Sequence, residues 1–394
     1  MEDLFSHAKL YYPYSIQCMR GFPSYCPPSV HAQGHVSSGG GGGFGVRSVQ
    51  SAYGEFIERS HFYLDVFADV EGKLSDYNSS ELNASLYKMI RQLKVTPKEP
   101  ESHLFKLNKV ENCFDQTVSY LPTVMFTLSL FDSADRQFIP FMDSCGEATH
   151  ISLDKAIHSS LMEFIERQAL VGSWLTRQYV HKIQPNVISY VPSYAKLAKQ
   201  LLQSGEIHVF NVCRNLPGYV VMILYFSHSS QDYVQYAIGM SAGLTPLEAM
   251  TKALNELWLD YGYLYVSSDV WKSFNSIPES KRYTIRHIED NNIEKTKQIM
   301  AYNLADSCNI AAQDFLKLPA ISYSDTWKML RKITSHLYLY HRTDSRNDYH
   351  YTKMMSPDFF LHMSTHEKLN VDNAYTDFLS ADLHHLYRKT IPFP

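Results

Sequence analysis

One charged pattern occurs twice in this chain and limits the possible folds more than any other feature. Both copies read S-x-x-x-E-x-x-E-R around a shared Glu-Phe-Ile-Glu-Arg core, at residues 51–59 and 159–167. On a helix, positions i, i+4 and i+7 lie on one face, so the serine and both glutamates of each copy point the same way. Neighbouring carboxylates repel each other unless a cation lies between them. The repeat therefore predicts two helices that each present paired acids.

If the two helices face each other, their acids meet around one point. The acids concerned are Glu55, Glu58, Glu163 and Glu166. Magnesium prefers oxygen ligands, so this arrangement predicts a magnesium site. The alternative is two solvated helix faces with ordinary Glu/Arg pairs. The Phe-Ile pair between the charges in both copies favours half-buried helices instead.

Composition excludes several classes of function. The chain has 394 residues, 45% hydrophobic and 19% charged, which is typical of a globular protein with a sizeable core. A net charge of −4 provides no basic field for nucleic acid or anionic lipid. Histidines are scattered without metal-binding spacing, which argues against zinc. No apolar run is long enough to span a membrane.

The cysteines and the N-terminus indicate a cytoplasmic protein. Six cysteines lie far apart without C-x-x-C spacing, as expected for reduced thiols. The first residues show no basic segment followed by an apolar one, so we predict no signal peptide.

Three regions follow from the distribution of proline, glycine and motifs. They are a Pro/Gly-rich N-terminal segment, a core and a C-terminal region, at residues 1–45, 46–270 and 271–394. The glycine run Gly39–Gly43 has two interpretations, a flexible loop or a mobile phosphate cover with Arg47 at its charged end. A P-loop is excluded because Val46 occupies the position that its lysine needs.

Three helices are predicted around the motifs. The first runs from about Arg47 to Phe67, and the second starts near Ser152, whose hydroxyl can cap it. The third opens at Thr245, with proline at the first helical position and Glu248 completing a capping box. Residues 71–115 are polar and are expected to be poor in strands. Strands are predicted at residues 123–131, 137–142, 207–212, 219–226, 233–240, 336–341 and 350–354.

Two further features have alternative interpretations. Lys252 and Glu256 are four residues apart on the third helix, so they form either part of a site or a surface pair. The chain ends in Pro392-Phe393-Pro394, which is stiff and extended. That tail either holds its terminal carboxylate in a fixed position or is a frayed end.

These motifs together resemble the YcaO family, ATP-using enzymes that modify peptide backbone amides. The resemblance rests on the doubled motif, Asp143-Ser-x-Gly146, the helix at 245–256 and the Pro-Phe-Pro end. Residues 138–175 and 356–363 further resemble the cyclodehydratase subunit of microcin-type azole peptide synthetases. The resemblance implies a mixed α+β (α/β) fold, with antiparallel-rich sheets and the motif helices around a central ATP cleft.

The implied reaction closes a substrate Cys or Ser onto the preceding amide, whose oxygen is phosphorylated by ATP and expelled, leaving an azoline. The four glutamates would hold magnesium. The residues implied in nucleotide binding are Arg47, Ser51, Ser159, Arg167, Lys252 and Glu256. Arg167 and Pro394 are implied in catalysis. The implied partners are a ribosomal precursor peptide, a ThiF-like leader-binding subunit and an FMN-dependent dehydrogenase, with FMN only on that separate subunit.

The chain departs from the family pattern in two places. The third motif usually reads R-x-x-x-E-x-x-Q, but here lysine occupies position 252 and Leu259 removes the amide. Lysine keeps the charge without the guanidinium fork. The C-terminus has two prolines where the azole branch often has P-x-P-x-P.

Four hypotheses follow. A cyclodehydratase subunit is favoured, because the azole branch carries a proline-rich end. The others are a YcaO of different amide chemistry, such as thioamide or amidine formation, a non-catalytic scaffold, and an unrelated metal-dependent hydrolase.

Overall fold

The computed structural model describes residues 15–19, 26–129, 133–272, 291–344 and 348–393. The helices are α1 (Val46–Leu64), α2 (Ser80–Leu93), α3 (Ser133–Arg136), α4 (Leu153–Thr176), α5 (Ala195–Ser204), α6 (Pro246–Lys272), α7 (Ile293–Leu304), α8 (Ala312–Leu316), α9 (Tyr323–Arg331) and α10 (Ala374–Phe378). The strands are β1 (Ser15–Met19), β2 (Ser29–Gln33), β3 (Ser38–Gly42), β4 (Val70–Gly72), β5 (Phe105–Asn112), β6 (Val118–Pro122), β7 (Glu147–His150), β8 (His181–Ile183), β9 (Gly205–Asn211), β10 (Tyr219–Ser227), β11 (Tyr236–Gly243), β12 (Tyr338–Asp344) and β13 (Tyr349–Met355).

The strands form three sheets, and all the ladders between them are antiparallel. Their orders are β1-β2-β3, then β11-β10-β9-β8, then β4-β5-β12-β13-β7 with β6 paired to β5. Mixed helices and antiparallel sheets confirm the predicted fold class.

Helix α4 lies between the two larger sheets, which explains why its sequence is apolar on nearly all sides. It packs against β10 and β11 of one sheet and against β7 and β13 of the other. Strand β10 shows the layering, since alternate side chains enter opposite cores. Met222 and Leu224 pack in the core that contains α4, whereas Val221 and Ile223 pack in the core that contains α6.

The glycine run is a strand, not a flexible loop. Strand β3 packs directly on α1, so closely that a Cβ on Gly41 would lie 1.9 Å from the Ser48 carbonyl oxygen. A Cβ on Gly39 would lie 2.3 Å from the Ala52 oxygen. Glycine is therefore required by the close approach of strand and helix. Beyond the strand, Gly43 and Gly45 adopt positive φ angles of 108° and 76° and turn the chain into α1.

Several local predictions were wrong. Residues 71–115 contain α2 and strand β5, whose alternating burial is hidden in the sequence by its lysines and asparagines. Residues 123–125 form a 3-10 helix, and no strand is assigned to the described part of 123–131 or to 137–142. The uninterrupted apolar sequence in these two segments reflects burial of irregular backbone, not a strand. Residues 130–132 lie outside the described part of the chain.

The other predicted helices and strands are present, with boundaries shifted by a few residues. Thr245 caps α6 by accepting a hydrogen bond from the Glu248 backbone N–H at 3.1 Å. Ser152 precedes α4, but its side chain makes no capping hydrogen bond. Across the described ranges, no helix combines the length and apolar character needed to cross a bilayer.

Candidate active site

Three helices bring the predicted acids close enough for their charges to interact, and the region between these helices is called the cleft below. Helix α1 carries Glu55 and Glu58, helix α4 carries Glu163 and Glu166, and helix α6 carries Glu256. Strand β7 contacts both α1 and α4 and so places the two motif copies side by side. In addition to burial, the charge of Glu163 raises the pKa of Glu58 on α1 and of Glu166 on its own helix, and the charge of Glu55 raises the pKa of Glu256 on α6.

On α1, the two acids have different surroundings. Glu55 Oε2 accepts a hydrogen bond from the Gly40 backbone N–H at 2.8 Å, and its Oε1 lies 3.6 Å from the Arg59 guanidinium. The glycine strand therefore orients the first motif acid. Burial, and then the charge of Glu147, raise the pKa of Glu58 well above its ordinary value, while Arg59 opposes the shift.

On α4, Arg167 connects the acids. Its Nε donates to Glu163 Oε1 at 2.8 Å and lies 4.0 Å from Glu166 Oε1. Glu166 Oε2 accepts from the Ala242 backbone N–H of β11 at 3.1 Å. Burial together with Glu163 raises the pKa of Glu166 to about 8. This carboxylate is thus held in place but retains a proton more readily than usual.

On α6, the predicted pair separates. Lys252 forms an exposed ion pair at 2.8 Å with Glu248, one turn earlier, rather than with Glu256. Desolvation, followed by the charges of Glu55 and Glu163, raises the pKa of Glu256 to about 7, although the residue is exposed to solvent.

Leu259, at the position where the family motif usually has glutamine, packs against the glycine strand. Its Cγ would lie 2.7 Å from a Cβ on Gly42, so Leu259 contacts the glycine strand. Asn255, one turn earlier, contacts the same glycine and accepts a hydrogen bond at 2.7 Å from the Tyr194 hydroxyl. An amide side chain therefore lies beside this strand even though position 259 is apolar.

Three further predicted binding residues lie on the surface. Arg47 is exposed in the first turn of α1, and Ser51 and Ser159 are exposed one turn before the acids of their motifs. All three remain predicted nucleotide contacts.

The C-terminal tail packs beside Arg167. The Phe393 ring is buried, and the Arg167 guanidinium carbon lies 5.1 Å from its centroid. The Tyr236 hydroxyl donates to the Pro392 carbonyl at 2.7 Å, and the Trp174 indole donates to the Lys389 carbonyl at 2.7 Å. The tail is therefore anchored, and not frayed, as far as Phe393. Pro394, which we predicted to be catalytic, lies outside the described residues.

A buried ion pair next to this cleft was not predicted from the sequence. Glu147 on β7 and Lys353 on β13 are paired at 3.1 Å, with their side chains 0% and 3% exposed. Burial raises the pKa of Glu147, and Lys353 opposes that shift. The sequence contains one signal, since Glu147 follows directly on the Asp143-Ser-x-Gly146 turn before the second motif helix.

The donor chemistry fits magnesium, although the ligands are not gathered into a closed shell. Within the described ranges, no three His, Cys, Asp or Glu side chains are close enough together to hold a metal ion. The acids are hard oxygen donors, and their raised pKa values reflect burial and mutual repulsion that a divalent cation would relieve.

The site combines carboxylates from three helices with neighbouring arginines. Carboxylates are groups that bind divalent cations, and arginines are groups that bind nucleotide phosphates. The chain belongs to the YcaO family: the family model described as YcaO cyclodehydratase, ATP- and Mg²⁺-binding, matches residues 40–358. The predicted family and enzyme class are confirmed.

Individual relatives agree with the family. The chain is 26% identical over 343 residues to the microcin B17-processing protein McbD of Escherichia coli. The match covers 83% of this chain and 83% of McbD. The E. coli microcin synthetase McbBCD complex contains a chain of similar fold, with TM-score 0.87, 23% identity and 98% of both chains covered. YcaO from Methanopyrus kandleri bound with AMPPCP and Mg²⁺ gives TM-score 0.60 at 12% identity, covering 90% of this chain and 89% of that one.

Proposed function

We propose that this chain is the ATP-dependent cyclodehydratase subunit that forms thiazoline and oxazoline rings from Cys and Ser of a ribosomal precursor peptide. The observation that carries the proposal is the meeting of both motif copies at one cleft, with Arg167 joining the acids to the C-terminal tail. Each of these parts has a place in the reaction.

The reaction starts on the substrate. The Cys thiol or Ser hydroxyl adds to the preceding amide carbonyl, forming a tetrahedral hemiorthoamide whose oxygen attacks the γ-phosphorus of ATP and displaces ADP. The C–O bond then breaks, phosphate leaves, and loss of the nitrogen-bound proton gives the C=N bond of the azoline. Each ring therefore loses one water in total, and the oxygen leaves in phosphate.

The protein contributes positioning and charge, as is general for phosphoryl transfer. Glu55, Glu58, Glu163 and Glu166 would hold magnesium, which neutralises phosphate charge when bound. Arg167 is oriented by Glu163 and suits the phosphate oxygens through its guanidinium fork.

The remaining nucleotide contacts are proposed for exposed residues of the motif helices. We assign Arg47, Ser51, Ser159 and Glu256 to the nucleotide. Lys252 can reach a phosphate only by leaving Glu248, and its high exposure permits that change.

The tail supplies the last component. Phe393 is buried beside Arg167, and Pro394 is the next residue in the sequence. We propose that the terminal carboxylate of Pro394 faces the reacting amide.

We also propose that the subunit works with a ThiF-like leader-binding subunit and a separate FMN-dependent dehydrogenase, in the cytoplasm. A solved E. coli microcin synthetase McbBCD complex has pro-MccB17 bound. That precedent supports a multi-subunit assembly acting on a peptide. All six cysteines are free, which supports a reducing compartment.

The test is reconstitution with precursor peptide and partner subunits. We expect Glu166→Ala to abolish ring formation, because it removes a buried acid of the site, while circular dichroism shows a folded protein. Mass spectrometry counts the rings as waters lost, and a coupled assay follows ATP turnover. Azoles formed at the normal rate by the variant would show that the site is misplaced.

A scaffold role is the second candidate, favoured by the leucine at 259 and by the exposed pair of Lys252. ATP turnover that is absent with every combination of peptide and partner would support it. Modification without loss of water would instead point to thioamide or amidine chemistry.

A further inference from the structure

The ion pair between β7 and β13 does more than neutralise two buried charges. Glu147 and Lys353 are directly opposite each other in the β7–β13 ladder. Lys353 Nζ donates to Glu147 Oε1 at 3.1 Å and to the Asp143 carbonyl at 2.5 Å. These bonds use one oxygen of the carboxylate and hold the side chain rigidly.

The second carboxylate oxygen of Glu147 makes neither of these bonds. Glu147 Oε2 is buried and has no hydrogen-bond partner in the part of the chain that the structure describes. A buried carboxylate oxygen without a partner destabilises the folded protein, so such atoms commonly mark the place of a bound ion or water. Thr149 Oγ1, two residues along the same strand, is likewise buried without a partner in those ranges.

The orientation of these atoms points to the first motif helix. Glu147 and Thr149 lie on one face of β7, the face that Lys353 and Tyr351 share across the ladder. Helix α1 covers this face, since the Phe62 ring lies 5.9 Å from Lys353 Nζ. The charge of Glu147 also acts on Glu58 and Arg59 of the same helix.

We propose that Glu147 is a fifth carboxylate of the cation site, with Oε2 binding the divalent cation held by Glu58, directly or through a cation-bound water, and with Lys353 positioning it. This inference rests on the proposed function, because it assigns the same cation one more ligand. It gives the unpartnered Oε2 of this buried acid a binding role.

The experiment measures binding and not turnover. Manganese replaces magnesium, and its affinity is measured by electron paramagnetic resonance on the full chain with a non-hydrolysable ATP analogue. We expect Glu147→Gln to weaken manganese binding about tenfold or more, the usual effect of losing a supporting ligand. The matched control is Glu206→Gln, which breaks the exposed pair with Lys297 on elements that carry none of the predicted acids, and it should leave the affinity unchanged.

A double variant separates a ligand from a structural partner. Glu147→Gln leaves Lys353 as an unpaired buried charge, so its melting temperature should fall. Glu147→Gln combined with Lys353→Met removes both charges, and the melting temperature should recover while manganese binding stays weak. If the double variant regains wild-type affinity, or if Glu147→Gln never loses it, Glu147 only neutralises Lys353 and the inference is wrong.

Glu166→Ala distinguishes this failure from failure of the proposed function. If Glu166→Ala loses manganese binding and Glu147→Gln does not, only the fifth ligand is overturned. If the wild-type protein does not bind manganese with the nucleotide analogue, the cation site and this inference fail together.

Discussion

At the scale of single residues, the acids of the cleft are unusual in their protonation. Burial raises the pKa of Glu166 to about 8 and that of Glu256 to about 7. The charges of neighbouring carboxylates contribute to both shifts. Because both folded-state values exceed the unfolded value of about 4.3, the folded protein without a cation holds extra protons. Its stability therefore falls as pH rises from the unfolded pKa through the folded one.

Cation binding should reverse this trend. Only ionised carboxylates bind the cation, so affinity should rise with pH until these groups are deprotonated. We expect the gain in melting temperature from magnesium and ATP analogue to be larger at about pH 8.5 than at about pH 6. Thermal unfolding at both pH values checks this, and an equal or smaller gain at the higher pH would contradict the assignment of these acids.

At the scale of elements, the contact between β3 and α1 places Glu55. The helix lies against strand atoms at distances that exclude a side chain, and the Gly40 N–H then reaches Glu55. The glycine run is thus a structural requirement of the site, and its sequence signature does not separate it from a loop.

This contact makes a direct prediction about stability. Gly41→Ala places a Cβ against the α1 backbone, which neither element can avoid, and we expect a loss of about 1–3 kcal/mol or more. Gly54→Ala is the matched control, because a Cβ there meets nothing within 4 Å. It should stabilise α1 by about 0.5–1 kcal/mol. Urea unfolding measures both, and an unaffected Gly41→Ala would argue against the packing of β3 on α1.

At the scale of the whole molecule, the last residues return to the centre of the fold. Trp174 and Tyr236, from α4 and β11, hold the carbonyls of Lys389 and Pro392, and the Phe393 ring enters the core beside Arg167. The tail is therefore packed, as far as Phe393, against the same core as helix α4.

Deletion of Pro392–Pro394 should abolish ring formation while the protein remains folded, because it removes the tail that we propose acts on the reacting amide. Deletion of Pro394 alone is the sharper variant, since Phe393 and its buried contacts remain. We expect it to lose ring formation with an unchanged melting temperature. Mass spectrometry of the precursor peptide provides the readout, and normal azole formation by both variants would refute a role for the tail.

The sequence by itself determined the features that depend on local spacing. The acid pairs on α1 and α4 and the Thr245 cap of α6 follow from helical periodicity and capping chemistry, which act over a few residues. The family could be recognised for the same reason, because its motifs are short and local. The division into regions at residues 45 and 270 stays a prediction.

Only the tertiary structure decided which distant groups meet. It placed Glu147 opposite Lys353, brought Phe393 to Arg167, and paired Lys252 with Glu248. It also made a strand of polar-looking residues 105–112, whose alternation is visible only once one face has a core to cover. Such contacts depend on how sheets and helices pack over long separations in the chain, and no local pattern carries that information.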